Sequence, residues 1–169
     1  VDAEQMMQAF IADYPASIYR NNMLYTLACF YTDNGMIERG ASVFADVEYK
    51  ALSGIARERY DMRVGYARFK EGDYEGAMTH LKRVAKTSDY YPHALYYISY
   101  IHYNQGNLDV ANKGFEELKQ YSSYSELVPY YLLQIEYRKG NYDYVIAEGE
   151  RLVNQIAEGM RDDRVRIIA

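Results

Sequence analysis

The residues able to do chemistry are few, and their spacing gives them little to work with. The three histidines are His80, His93 and His102, and none stands beside another His, a Cys or a carboxylate in a metal-ligand spacing such as H-E-x-x-H. His80 falls on a second helix of a hairpin and His102 at a core position, so all three read as structural or surface residues. The single cysteine, Cys29, has no histidine near it in sequence, which argues against a catalytic thiol and excludes an internal disulfide. Glu116-Glu117 and Asp162-Asp163 are carboxylate pairs that solvated helix faces and ends produce. The glycines come singly and form no phosphate-binding loop. The expectation is therefore no enzyme, no cofactor and no metal.

What the glycines do instead is punctuate helices. Thirty-four residues separate Gly72 from Gly106, and thirty-four separate Gly106 from Gly140. Each is followed by a residue that can cap a helix, in Gly72-Asp73, Gly106-Asn107 and Gly140-Asn141. Glycine accepts the positive φ that ends one helix, and Asp or Asn can satisfy free N–H groups at the start of the next. A fixed period of this length is the mark of stacked helical hairpins. Asn34-Gly35 gives an earlier turn thirty-seven residues before Gly72, and the stretch Tyr49 to Gly54 is where the three extra residues belong.

The rest of the chain fits this frame. Ala3, Met7 and Phe10 recur at helical spacing up to Asp13-Tyr14-Pro15, as a second helix without its first. Ser17 is expected to cap a helix running to about Asp33, and Ser53 one that carries Gly65. Small residues at Gly40, at Gly65 and Ala77, and at Ser99 and Ala111 let paired helices approach, while Leu81 and Phe115 fill the seam beyond. The fourth hairpin departs, with Leu133 and Val145 where small residues belong, Gly149 where a large one belongs, and Pro129 near a helix start. The predicted organisation is a partial repeat over 1–16, hairpins over about 17–52, 53–91, 92–124 and 125–158, and the start of a further repeat over 159–169, all one array. Apolar residues at its ends (Met7 and Phe10 at one, Val165, Ile167 and Ile168 at the other) and a first residue other than Met predict an excised piece of a longer array. Extending it C-terminally by a hairpin is then expected to raise thermal stability.

Composition sets outer bounds. The chain has 169 residues, 49% of them hydrophobic and 25% charged, with 21 Tyr, 5 Phe and no Trp, a mix suited to a folded protein. A net charge of −5 lacks the basic footprint of a nucleic-acid binder, and no apolar run reaches membrane-spanning length.

By its period and its repeated G-[DN]-[YL]-x-x-[AV] core, the chain resembles the tetratricopeptide repeat family over nearly its whole length. It departs from the family at the usual aromatic site of the first helix, which holds Tyr31, Arg68, His102 and Glu136. The opening A-x-x-x-M-x-x-F…Y-P-x-S-x-Y, Ala3 to Tyr19, is similar to repeats of bacterial cell-envelope proteins of this family. The resemblance implies an all-α, right-handed α-solenoid serving as a non-catalytic scaffold for a protein or peptide partner, with the periplasm or cell envelope as its compartment. Co-chaperone members of the family hold a terminal carboxylate in a clamp of Lys, Asn and Arg. The corresponding positions here hold Tyr25, Cys29, His93 and Tyr97, leaving Arg63 alone to serve, so that activity is not expected.

One pattern points to a surface. The first-helix positions that the period turns inward are Asn22, Tyr25, Cys29 and Thr32; Arg59, Met62, Tyr66 and Phe69; His93, Tyr96, Tyr100 and Tyr103; Leu127, Tyr130, Gln134 and Tyr137. Tyr or Phe fills eight of the sixteen, against 15% aromatic residues in the chain. Tyrosine gives large contact area at small entropic cost and keeps a polar tip. The expected partner-binding groove is Tyr25, Arg59, Tyr66, Phe69, His93, Tyr96, Tyr100, Tyr103, Tyr130 and Tyr137, taking a peptide segment or a partner helix. The plainer reading makes these tyrosines packing residues between neighbouring helices. A structural spacer that self-associates through open repeat ends, or glycan binding by the same tyrosines, are the alternative functions.

Overall fold

A computed structural model describes residues 2–168, with side chains described through residue 159. Among the described residues there is no strand, and the secondary structure is helical throughout. The helices are α1 (Ala3–Asp13), α2 (Arg20–Asp33), α3 (Ile37–Phe44), α4 (Gly54–Lys70), α5 (Tyr74–Leu81), α6 (Tyr91–Asn104), α7 (Leu108–Leu118), α8 (Val128–Arg138) and α9 (Tyr142–Ile168). This is the all-α helical-repeat fold that the period predicts. The chain divides into two compact units, Val1–Ile98 and Ser99–Ala169.

The four turns are copies of one another. Gly35, Gly72, Gly106 and Gly140 have φ of 77°, 80°, 80° and 83°, in the left-handed region that a Cβ disfavours. Each glycine N–H donates to the carbonyl three residues back, and the next residue donates to the carbonyl five back. Gly72 thus bonds Phe69 O at 3.0 Å and Asp73 bonds Arg68 O at 2.9 Å, while Gly106 and Asn107 repeat this on Tyr103 and His102. This double bond pattern is the Schellman closure of a helix C-terminus. The carbonyls five residues back belong to Tyr31, Arg68, His102 and Glu136, so the same backbone bond forms whether the residue there is aromatic, as at Tyr31, or not.

Helix starts follow expectation less uniformly. Ser53 Oγ accepts from Ala56 N at 3.2 Å and Asp73 accepts from Gly76 N, both as N-caps. Asn107 makes no capping bond, and Asn141 donates instead to the Glu136 carboxylate. Ser17 does not cap α2, whose N-cap is Tyr19. Its hydroxyl accepts from Tyr19 N in the preceding turn, so the helix begins later than predicted. The extra residues before α4 form a 3-10 turn over Tyr49–Ala51, onto which Arg57 donates at Tyr49 O and Lys50 O.

In the first unit Leu24, Ala28, Phe44, Val47, Leu52 and Val64 form the core, with Tyr25, Tyr49 and Tyr60 packed against it. Close approach is real at two glycines. A Cβ on Gly65 would sit 2.7 Å from Leu81 Cδ2, and one on Gly40 would press Thr32 Cγ2 and the Ala28 carbonyl. Met7 and Phe10 are half-buried, and Phe10 packs on Tyr14 at 5.2 Å.

In the second unit Ala111, Phe115, Leu118, Val128, Leu132 and Ile135 are buried. Pro129 lies in the first turn of α8, where its missing N–H costs nothing. The fourth hairpin is looser than the others, because Gly149 has open space where a Cβ would go and Leu133 and Val145 are only half-buried. The traded sizes do not rebuild a tight seam. α9 also runs unbroken to Ile168, without the helix break expected near residue 159. The expected apolar residues Val165, Ile167 and Ile168 lie outside the described side chains.

Candidate functional site

The first unit carries a cleft of about 280 Å³ lined by Thr32, Asp33, Ile37, Met62, Arg63, Tyr66, Tyr90, His93 and Tyr97. Of the expected groove, Tyr66 and His93 are in its wall, together with the inward positions Thr32 and Met62. Phe69 and Tyr96 stand behind it. Tyr97 meets Phe69 at 4.8 Å, Tyr96 at 5.2 Å and Tyr66 at 5.4 Å between ring centroids, giving a continuous aromatic patch. Tyr66, Phe69, Tyr96 and Tyr97 are all partly exposed, so each ring packs and still presents a face.

Arg63 fixes the polar edge of the cleft. Its Nε and Nη2 both donate to Asp33 Oδ1, at 3.2 and 2.7 Å. Arg59 lies one helical turn earlier on α4, exposed, with the Tyr90 and Tyr25 hydroxyls as its polar neighbours. Tyr25 is as much a packing residue as a surface one, with its ring 6.3 Å from Phe44. Its hydroxyl is shielded from water and makes no well-formed hydrogen bond, although Cys29 and Arg59 are nearby. Burial, then the neighbouring Cys29, pushes the Tyr25 pKa up to about 12. Burial likewise raises the Cys29 thiol, the opposite of what a nucleophilic thiolate needs.

In the second unit the expected residues gather around Tyr131. Tyr100 and Tyr103 meet its ring at 6.1 and 6.4 Å, edge to face, and Tyr131 stacks on Phe115 at 4.6 Å with an interplanar angle of 5°. Tyr103 also lies under Arg138, whose guanidinium carbon is 4.7 Å from the ring centroid, and its hydroxyl donates to Gln134 Oε1 at 3.2 Å. Tyr103, Gln134, Tyr137 and Arg138 line a shallow cleft with Leu133 and Val145. Tyr130 and Tyr137 are the most open, at 44% and 60% exposure.

Sequence reasoning passed over two features. Tyr90 and Tyr97 complete the first cleft, yet the sequence offers Tyr97 only as a position where a clamp residue is missing, and Tyr90 precedes its helix. The other is Asp61, which is buried and accepts from Tyr49 Oη at 2.7 Å. His80 Nδ1 lies 3.1 Å and Arg83 Nη1 3.6 Å from its Oδ1. His80 is thereby placed as a structural residue. Among the described residues, no group of three or more His, Cys, Asp or Glu side chains is disposed to hold a metal ion. No helix among them is long and apolar enough to cross a membrane.

Comparison with known proteins agrees with this architecture. The tetratricopeptide repeat family matches residues 93–123. The fold is similar to the crystal structure of MamA protein, with a TM-score of 0.70 and 14% identity over 94% of this chain and 84% of that one. A second crystal structure of MamA gives 0.68 and 14% over 95% and 98%, and the MamA RS-1 ArsTM double mutant 0.68 and 14% over 93% and 85%. At that identity the likeness is one of fold. No curated protein sequence matches the chain.

Proposed function

We propose that this helical-repeat protein is a non-catalytic interaction module that captures a peptide segment or a partner helix on its tyrosine-rich first-helix surfaces. The observation that carries the reading is the cleft in the first unit, walled by Tyr66, Tyr90 and Tyr97 and backed by Phe69. Its volume of about 280 Å³ falls just under the roughly 300–1,000 Å³ typical of small-molecule sites and suits a protruding side chain. Large aromatic faces with polar tips are the surfaces on which protein contacts concentrate their energy. A tetratricopeptide repeat match over 93–123 supports a protein partner as the ligand class.

A random displayed peptide library selected against the whole chain tests this. Selected peptides should lose roughly 1–2 kcal/mol of binding to Tyr66→Ala or Tyr97→Ala, with helical content unchanged by circular dichroism. In the second unit Tyr137→Ala is the matching probe, since Tyr100 and Tyr103 also pack on Tyr131. Selection of no tyrosine-dependent peptide, or binding on a glycan array instead, would overturn the reading.

A further inference from the structure

Most of the large apolar side chains described on α9 face water, and they do so in register. Tyr142, Ile146, Val153 and Ile156 are exposed, Ile146 and Val153 at 61% and 65%, and Gly149 lies between them. The steps from Tyr142 through Gly149 to Ile156 are four, three, four and three residues, the spacing by which one helix face meets a second helix. This is not the face that holds α9 on its hairpin. Leu152 is buried, and Val145 lines a cleft with Leu133 and Tyr137 of α8. An earlier helix shows what the exposed face can do. Phe115 stands thirty-four residues before Gly149, and it is fully buried and stacks on Tyr131 of the following helix, α8. At Gly149 a Cβ would meet nothing within 4 Å, so the same place on α9 is an open notch in an apolar stripe.

Charge decides what fits there. Asp143 and Glu150 follow Tyr142 and Gly149 by one residue, which puts both on one edge of the stripe. Both are exposed and have no ion-pair partner among the described residues. Arg151, the one cation among the described side chains of α9, is held by Glu148 through its Nε at 2.9 Å. Arg138 and Lys139 at the turn donate to Tyr103 O at 2.8 Å and to Asp109 Oδ1 at 2.7 Å. The acidic edge is left without a cation of its own.

We propose that the exposed face of α9 seats an amphipathic helix of a basic partner protein. The partner's apolar residues lie along the stripe, a large one over Gly149, and its Lys or Arg side chains meet Asp143 and Glu150. A second copy of this chain is the poorer occupant. Two α9 helices laid antiparallel would set Asp143 and Glu150 of each against those of the other, and α1, whose charged residues are Glu4 and Asp13, is acidic as well. The surface shares no residue with the cleft of the first unit, so it stands or falls separately from the reading above.

The experiment selects from a displayed library of helical peptides against the whole chain, with Leu and Ile fixed at the apolar spacing and the flanking positions free among Lys, Gln and Glu. Selected helices should carry Lys on their flanks. A resynthesised one should bind roughly tenfold more tightly, by fluorescence anisotropy, than the same helix with Glu there. Ile146→Ser combined with Val153→Ser should weaken it by roughly tenfold or more with circular dichroism unchanged, because both side chains already face solvent. Asp143→Asn combined with Glu150→Gln, or added salt, should cut the preference for Lys to about threefold or less. Selected helices indifferent to the Ile146 and Val153 changes, or to flank charge, would overturn the proposal, as would the selection of none. Sensitivity to Tyr97→Ala alone would also overturn it while leaving the first-unit cleft in place as a binding site. Concentration-dependent dimers in sedimentation velocity that vanish in the Ile146 and Val153 variant would overturn it in favour of a second copy.

Discussion

Asp61 is the residue with most at stake locally. A carboxylate this deeply buried persists only because Tyr49, His80 and Arg83 converge on it. Asp61→Ala leaves the Tyr49 hydroxyl and His80 without their acceptor and should lower unfolding free energy by about 2–3 kcal/mol in urea titrations. Tyr49→Phe, which removes one hydrogen bond, should cost about 1 kcal/mol. The buried tyrosines make a second residue-scale prediction. Tyr25 is raised to about 12, and burial first, then the Asp61 contact, raises Tyr49. A tyrosine whose folded pKa exceeds its unfolded value of about 10 contributes fully below that pH, and the contribution drains away as pH rises through the folded value. Stability should therefore fall between about pH 10 and 12, and Tyr25→Phe should flatten that fall. An unchanged pH profile in Tyr25→Phe would show that the hydroxyl ionises equally in both states.

Helix pairing makes opposite predictions for two glycines that look alike in sequence. On α4, Gly65 is where Leu81 packs across the seam, and an added methyl meets Leu81 Cδ2 and Cγ at 2.7 and 2.8 Å. Gly65→Ala should destabilise by about 1–3 kcal/mol despite alanine's better helix propensity. On α9, Gly149 faces open space. There propensity decides, and Gly149→Ala should stabilise by about 0.5–1 kcal/mol, read as a higher denaturation midpoint at constant m. The turn glycines are a third case: nothing crowds Gly72, but its φ of 80° does. The cost of Gly72→Ala comes from backbone strain, about 1–2 kcal/mol.

For the whole molecule, a repeat architecture makes stability local, since each hairpin packs on its neighbours alone. Native-state hydrogen exchange should show the Gly65→Ala variant losing protection chiefly in α4 and α5, while α8 and α9 change little. A uniform loss across all helices would mean one cooperative unit. Within α9 itself, exchange should be faster around Val153 and Ile156, exposed at 65% and 43%, than at Ile135 in α8, which is fully buried.

The sequence by itself determined the repeat. A thirty-four-residue glycine spacing fixes where helices end, because positive φ and the Schellman hydrogen bonds are local backbone requirements that no distant contact can supply. Small residues at Gly40 and Gly65 were readable from their place in the repeat, and the paired helix explains them, since a Cβ there would meet Thr32 or Leu81. The tertiary structure decided what periodicity cannot carry. Tyr90 joins Tyr66 and Tyr97 in one cleft only when α4 and α6 pack together, and Asp61 acquires its partners from two other segments, Tyr49 from the 3-10 turn and His80 and Arg83 from around the end of α5. Neither contact has a fixed spacing in the chain. Whether a tyrosine packs, as Tyr25 does on Phe44, or stays open, as Tyr137 does, depends on the size of the side chain facing it, and that neighbour is chosen by the fold.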